Sequence, residues 1–193
     1  MRDFVKTAAL AASLVIAGAA PPAAVAQTAA LPPAAIIVVD MDRVVNQSAA
    51  GKQAMAEIQG KVTAAQTRAN ALQGQLKTEA DAIQAGQANK SLAGPALESR
   101  IKAFGDKQQS AQREMGRLEG EIQRARQHVF KQISDGVNPI ITAIMKERGA
   151  TIAMPKAATL QHVAGLEVTS DVITRLDKAL PKVSTTPPPA PAN

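Results

Sequence analysis

The chain has 193 residues, a formal net charge of +6, two histidines and no cysteine, tryptophan or tyrosine. Without cysteine it contains no disulfide, and with only three phenylalanines it offers no aromatic platform for stacking nucleic-acid bases. Its basic balance favours acidic partners or anionic membrane surfaces.

Residues 1–26 have the organisation of a cleavable export signal. Arg2 and Lys6 supply a basic start, residues 8–19 are apolar, and residues 24–26 read Ala-Val-Ala, a small-residue cleavage site. The apolar run is shorter than the roughly 20 residues that a bilayer span needs, so a signal cleaved after Ala26 is favoured over a retained anchor. Export also argues against a genomic nucleic-acid partner.

A Pro-containing linker at residues 27–35 leads into the first predicted strand. Residues 36–40 read Ile-Ile-Val-Val-Asp, a continuous β-branched run that favours a short buried strand. Ser48 or Asn46 is expected to cap the helix that follows, because short polar side chains accept hydrogen bonds from free N–H groups at helix starts.

A long row of apolar residues follows at heptad spacing. Steps of three and four alternate along most of the row, and Glu79 interrupts it near its end. A heptad pattern sustained over four repeats predicts a coiled-coil helix, and its many alanines predict a slender one. The row consists of Met55, Ile58, Val62, Ala65, Ala69, Leu72, Leu76 and Ile83.

A second row begins after Pro95, a residue suited to the first turn of a helix. The Gly- and Asn-containing residues 86–94 are therefore predicted to be the tip of an antiparallel hairpin that spans residues 49–148. Pro139 is expected to kink the returning helix or end a segment. The row is Leu97, Ile101, Phe104, Gln108, Ala111, Met115, Leu118, Ile122, Ala125 and Val129, and then, shifted by one residue, Ile133, Val137, Ile140 and Ile144.

The C-terminal part predicts a small body and a tail. Residues 150–154 indicate a strand, residues 159–168 contain a candidate second one, and residues 169–180 predict a helix with Thr169 or Ser170 near its N-cap. Residues 36–48 and 149–182 would form this β-rich body, and the Pro-rich residues 183–193 a disordered or polyproline-type tail. So few elements without a disulfide make a marginal core, which points to oligomerisation.

No residue pattern predicts catalysis, a metal site or a bound cofactor. His128 lies among arginines and is expected to be solvated, and His162 falls in the candidate strand at a partly exposed position. Asp40 and Asp42 stand two apart at a strand end, where loop hydrogen bonds or helix capping are favoured over acid–base chemistry. Residues 85–94 lack the spacing of a phosphate-binding loop.

This arrangement resembles the OmpH-like periplasmic chaperones, the Skp family, over residues 36–181. The best local matches are the opening strand with Ser-Ala-Ala-Gly-Lys at residues 48–52, and residues 167–180. The segment around Pro155 and Lys156 departs from the family, which has an acidic, turn-forming sequence there. The resemblance implies an α+β fold, in which a long antiparallel coiled-coil hairpin projects from a small β-sheet body that completes a β-barrel by trimerisation. The body residues expected in that trimer are Ile36, Ile37, Val38, Val39, Ile152 and Val163.

The resemblance also implies a function without an enzyme activity. Family members hold unfolded outer-membrane proteins in the periplasm without ATP and keep them from aggregating. The candidate client-binding residues are Leu92, Leu97, Arg113, Arg117, Arg124, Arg126 and Lys131.

Each group of candidates has an alternative role. Leu97 also fits the seam between the helices, and Met55 and Met115 are expected to fill that seam. The basic residues form either a salt-bridged solvated face or a lining for acidic clients or lipopolysaccharide phosphates. A structural or adaptor coiled coil of the cell envelope is the alternative function.

Overall fold

The computed structural model describes residues 33–188, so the predicted signal peptide, residues 27–32 of the linker and residues 189–193 of the tail lie outside the described part. Two long helices dominate it, and the shorter elements gather at one end of them. Two single 3-10 turns, at Lys156–Ala158 and Ala164–Leu166, join β2 to the last helix. The elements in chain order are β1 (Ile36–Val39), α1 (Met41–Gln47), α2 (Ala49–Ala88), α3 (Gly94–Arg148), β2 (Ile152–Pro155) and α4 (Thr169–Ala179).

The predicted helical hairpin is present. Helix α2 has 40 residues and α3 has 55, and at about 1.5 Å per residue α2 alone extends about 60 Å. The two helices run antiparallel, because Arg68 of α2 contacts Glu114 of α3 whereas Glu79, further along α2, contacts Arg100. Helix α3 continues through Pro139, so the proline does not end it.

The tip is shorter than residues 86–94. Gly86 lies in the last turn of α2, and Gly94, with φ +53°, begins α3. The chain turns back so closely that the N–H of Leu92 donates to the carbonyl of Gly86 at 2.9 Å. A Cβ at Gly86 would lie 2.8 Å from the Cβ of Leu92, so only glycine leaves room for this contact.

The sheet contains two parallel strands, not three. β1 pairs with β2 in the register Ile36 to Ile152, and its other side forms one isolated bridge from Val38 to Glu167. The N–H of Val168 donates to the carbonyl of Val38 at 3.0 Å, but residues 164–166 form a 3-10 turn, and the single bridge is the only pairing of the candidate strand at residues 159–168 with β1. The prediction that His162 lies in a strand is therefore wrong.

The body has a larger core than its short strands suggest, because the end of α3 belongs to it. The row shifted by one residue, which includes Ile133, Val137 and Ile144, is buried in one cluster with residues of β1, α1 and α4. Leu176 of α4 and Val44 of α1 complete this core with no exposed surface.

Polar caps fix the elements around this core. Asp40 accepts a hydrogen bond from the N–H of Arg43 and caps α1. Helix capping was one of the two roles expected for this residue. Ser48, one of the two predicted caps, accepts from the N–H of Gly51 at the start of α2. Thr169 and Ser170 lie near the start of α4 as predicted, but neither side chain stands at its N-cap position. Val168 occupies that position, and the buried hydroxyl of Thr169 accepts a hydrogen bond from the N–H of Asp40.

The start of the predicted disordered tail is packed. Val183 is buried in the body core and Thr185 is buried beside the base of the arm. Residues 183–188 are held against the two long helices by the buried side chain of Val183 and by hydrogen bonds to Gln132 and Glu57. Disorder is thus the wrong prediction for residues 183–188.

Candidate functional site: the surface of the helical arm

The seam between α2 and α3 is buried near the body and mostly half-buried further out, although Ile83 near the tip is buried. Ala54, Ile58, Ala65, Ala125 and Val129 are buried, whereas most seam residues further out are only half-buried. Because a half-buried side chain removes less apolar area from water, the outer part of the arm has weaker contacts between its helices.

Two apolar residues of the predicted seam, Met55 and Ile101, are exposed. Helix α1 packs on the neighbouring face of α2, which buries Ala54 and turns Met55 outward with 46% of its surface exposed. Met55 as a seam filler is therefore wrong, whereas Met115 is half-buried.

In the middle of the arm the helices leave a groove of 740 Å³ between them. Its apolar wall includes Leu72, Leu76 and Ala111, and charged residues stand at both ends. At one end the guanidinium of Arg68 donates twice to the carboxylate of Glu114, at 2.8 and 3.0 Å.

The other end explains why Glu79 interrupts the apolar row. Its carboxylate, 18% exposed, accepts hydrogen bonds from Arg100 at 2.7 Å and Lys107 at 3.2 Å, both on α3. The hydrogen bonds from Lys107 and then Arg100 lower the pKa of Glu79 below its usual value. Glu79 is thus a polar connection between the helices, which the heptad pattern does not reveal.

The candidate basic residues fall into two groups. Arg113, Arg117, Arg124 and Lys131 follow each other at steps of four and seven, so they share one exposed face of α3, away from the seam. Arg126 lies on a different face.

Pairing partly neutralises that shared face. Arg117 pairs with Glu121 and Lys131 with Asp135, each one turn along the same helix. Among residues 33–188, Arg124 and Arg126 form no ion pair. The salt-bridged face predicted from the sequence therefore holds for only part of the set.

An exposed apolar patch lies at the base of the arm, where the sequence analysis named only Arg126 as a client-binding candidate. Phe130 is 50% exposed and lies beside Met55, Val45 and Ile58 around a cavity of 620 Å³, with Arg126 at its edge. The signal in the sequence was the adjacent pair Val129 and Phe130, since only one of two successive helical residues can face the seam.

The tip and the body hold the remaining candidates. Leu92 and Leu97 are both half-buried, Leu92 against Gly86. In the body, the hydrophobic residues of β1 from Ile37 to Val39 are buried within the chain itself and Ile36 partly so. Ile152 and Val163 are 42% and 69% exposed, so they are the members of that predicted group that remain open to a partner.

A cluster of charges closes the edge of the body next to β1. The carboxylate of Glu167 lies 3.2 Å from the imidazole of His162, 3.3 Å from Lys156 and 3.5 Å from Arg43. Hydrogen bonds from His162, Thr169 and Lys156, in that order, lower the pKa of Glu167 to about 2. The cluster joins residues from both sides of the sheet and includes His162, which is partly exposed as expected.

This cluster predicts a specific loss of stability in acid. Because the folded pKa of Glu167 is below its ordinary value of 4.5, its contribution is complete above about pH 4.5 and is lost as the pH falls toward 2. Glu167→Gln should therefore lower the melting temperature clearly at pH 6 and have little effect at pH 2. Thermal melts across this range measure the difference. Glu119→Gln, at an exposed position of α3, is the control, and a Glu167→Gln difference that stays constant with pH would contradict the assignment.

No helix within residues 33–188 has a stretch apolar enough to cross a membrane. The same residues contain no group of three or more histidine and acidic side chains placed to hold a metal ion. The arrangement instead offers a long, open surface with basic, apolar and paired regions.

These features define the class as an α+β protein in which a long helical hairpin is carried by a small two-stranded body. The family model described as outer membrane protein (OmpH-like) matches residues 35–176, and the chain belongs to this family. The resemblance found in the sequence is thereby confirmed.

A solved structure has the same fold. It is the crystal structure of a proposed outer membrane chaperone (OmpH-like) from Caulobacter crescentus CB15, with a TM-score of 0.69 and 17% sequence identity. The similarity covers 80% of this chain and 90% of that one. No curated protein sequence matches the chain.

Proposed function

We propose that this protein is an ATP-independent holdase chaperone of the periplasm, which encloses unfolded outer-membrane proteins between the arms of a homotrimer and prevents their aggregation. The observation that carries the proposal is the open arm, about 60 Å long, whose surface combines apolar residues with unpaired basic ones. Membership of the OmpH-like family and the name of the Caulobacter neighbour support a chaperone role.

The contacts with a client would be numerous and individually weak. Met55 and Phe130 form one exposed apolar patch, Ile101 is exposed further out on the arm, and the 740 Å³ groove provides a further apolar surface. Binding of the unfolded chain lowers its free concentration and so slows aggregation without any nucleotide. Because the surface has a modest apolar content, it would also allow the client to be released.

The basic residues would act mainly on the encounter. Arg124 and Arg126 are free to attract acidic segments of a client, and exposed charges of this kind raise association rates in a salt-dependent way. The same groups suit phosphates of lipopolysaccharide or anionic lipids as an additional contact.

A trimer would use the open side of the body. Ile152 on β2 and Val163 are exposed apolar residues, and β2 is an edge strand within residues 33–188. Exposed edges of this kind readily pair with another chain. Three arms around a common body would then enclose a client, after export and cleavage behind Ala26.

Dilution of a urea-denatured outer-membrane β-barrel protein into buffer tests the proposed function. With an excess of the mature chain and no nucleotide, light scattering should fall several-fold, and higher salt should slow capture. Phe130→Ser combined with Met55→Ser should weaken suppression, whereas Gln66→Ser, an exposed polar change on the arm, should not. Scattering that is unchanged in excess chain would reject the holdase and leave an adaptor that binds one folded partner.

A further inference from the structure

Residues 183–188 follow the arm from its base toward the tip. Val183 is buried in the body, and Ser184 contacts Gln132 of α3. Thr185 then contacts Glu57 of α2, and residues 186–188 reach a cavity bordered by Lys61 and Arg124. The segment therefore lies across both helices of the arm.

The side-chain amide of Gln132 binds the main chain of Ser184, not its side chain. Its amide oxygen accepts from the N–H of Ser184 at 3.1 Å, and its amide nitrogen donates to the carbonyl of Ser184 at 2.8 Å. A neighbouring β-strand satisfies the N–H and the carbonyl of one residue in the same way. Any residue except proline carries both groups, so this contact is independent of sequence.

The groove next to Gln132 places few requirements on the side chains of the segment that it binds. The hydroxyl of Thr185, buried in the contact, donates to Glu57 at 2.8 Å. Beyond it, the cavity of 570 Å³ beside Pro187 and Pro188 is open and partly polar, with Glu121 and Arg124 on its wall. The groove thus accepts a small β-branched residue, and an open cavity lies beside the seated segment.

We infer that this groove, centred on Gln132 and Glu57, binds extended segments of an unfolded polypeptide, and that residues 184–188 occupy it as a tethered competitor. The inference rests on the proposed holdase function and names one place where a client chain is held. The occupant is identified by the segment already seated there: main chain without helix, small polar and β-branched side chains, and no requirement for charge.

Tethering sets the size of the effect. A linked segment competes at a high effective concentration even when its own contacts are weak. The apparent affinity for a client then equals the intrinsic affinity of the empty groove multiplied by the fraction of arms whose groove is free. If about one arm in ten is free, removal of the tail should tighten client binding about tenfold.

Two truncations of the mature chain test the inference. Removal of residues 184–193 keeps the buried Val183 and empties the groove, so it should tighten binding of an unfolded outer-membrane protein by about three- to tenfold. Removal of residues 189–193 alone keeps the packed segment and should leave the affinity unchanged. Thr185→Val preserves the shape but not the hydrogen bond to Glu57, so it should fall between them. Fluorescence anisotropy with a labelled client gives each dissociation constant.

A synthetic peptide of residues 182–193 provides a readout that needs no client. It should bind the chain that lacks residues 184–193, should not bind the full chain, and should lose affinity when Gln132→Ala is added to the truncated chain. It should also displace the labelled client.

The outcomes separate the two proposals. Equal or weaker client binding after truncation, with unchanged helicity, overturns the inference and leaves the holdase function intact. A truncated chain that melts lower and also binds less makes the segment a structural brace, which likewise overturns it. Absence of client binding by every variant rejects the holdase function, and the inference with it, whatever the peptide does.

Discussion

Gly51→Ala should lower the free energy of unfolding by about 3 kcal/mol or more, the range of severe overpacking against backbone. A Cβ at Gly51 would overlap the backbone carbonyl oxygen of Val45 and lie 3.0 Å from Oγ of Ser48. Backbone cannot rotate away as a side chain can, so α1 would have to move. That movement would pull Val44, which has no exposed surface, out of the body core.

Gly60→Ala is the matched control for Gly51→Ala. Both glycines lie in α2, but a Cβ at Gly60 meets nothing within 4 Å. Because alanine has a higher helix propensity than glycine, Gly60→Ala should stabilise the chain by about 0.5–1 kcal/mol. Urea unfolding followed by far-ultraviolet circular dichroism measures both. Equal shifts in the same direction would show that α1 does not depend on Gly51.

The arm was largely predictable because its pattern is local and long. Heptad spacing depends only on residues three and four apart, so Leu72 and Leu118 could be placed on the seam without knowledge of the partner helix. The sequence Ser-Ala-Ala-Gly-Lys also has a local reason: Ser48 caps α2 and Gly51 admits α1. Here, local chemistry and tertiary packing require the same residues.

Errors arose where packing between distant segments decides the outcome. Met55 fits the heptad row, but α1 covers the next face of α2 and buries Ala54 instead. Residues 159–168 have strand-forming composition, yet residues 164–166 form a 3-10 turn and a single bridge to Val38 is the only pairing with β1. No periodicity in the sequence records such long-range constraints.

The candidate site was only partly visible for a related reason. Charge in the sequence identified the basic residues of α3, but it could not tell which carboxylates pair with them, since Arg68 and Glu114 meet only through the register of two helices. Tail composition predicted disorder, because Pro-rich segments bury little area on their own. The partners that hold the segment, Gln132 and Glu57, lie more than 50 residues away in the chain.

Leu176→Ala should cost about 2–5 kcal/mol, the usual loss for a fully buried leucine. Leu176 has no exposed surface, and its Cδ1 lies so near α3 that a Cβ at Gly136 would be only 3.2 Å from it. Truncation leaves a cavity at this close approach. Lys178→Ala, on the exposed face of the same helix, should change stability by less than about 0.5 kcal/mol and controls for helix propensity.

The location of the damage distinguishes Leu176→Ala from a general loss of stability. Helix α4 packs on α1, β1 and α3 in the body, and among the described residues it has no partner in the outer half of the arm. Hydrogen exchange should therefore accelerate in α1 and α4 while amides around Leu76 and Ala111 keep their rates relative to the unaltered chain. Equal acceleration along the whole chain would mean that arm and body unfold as one cooperative unit. Because a trimer would add stability that rises with concentration, the comparison is made at one fixed protein concentration.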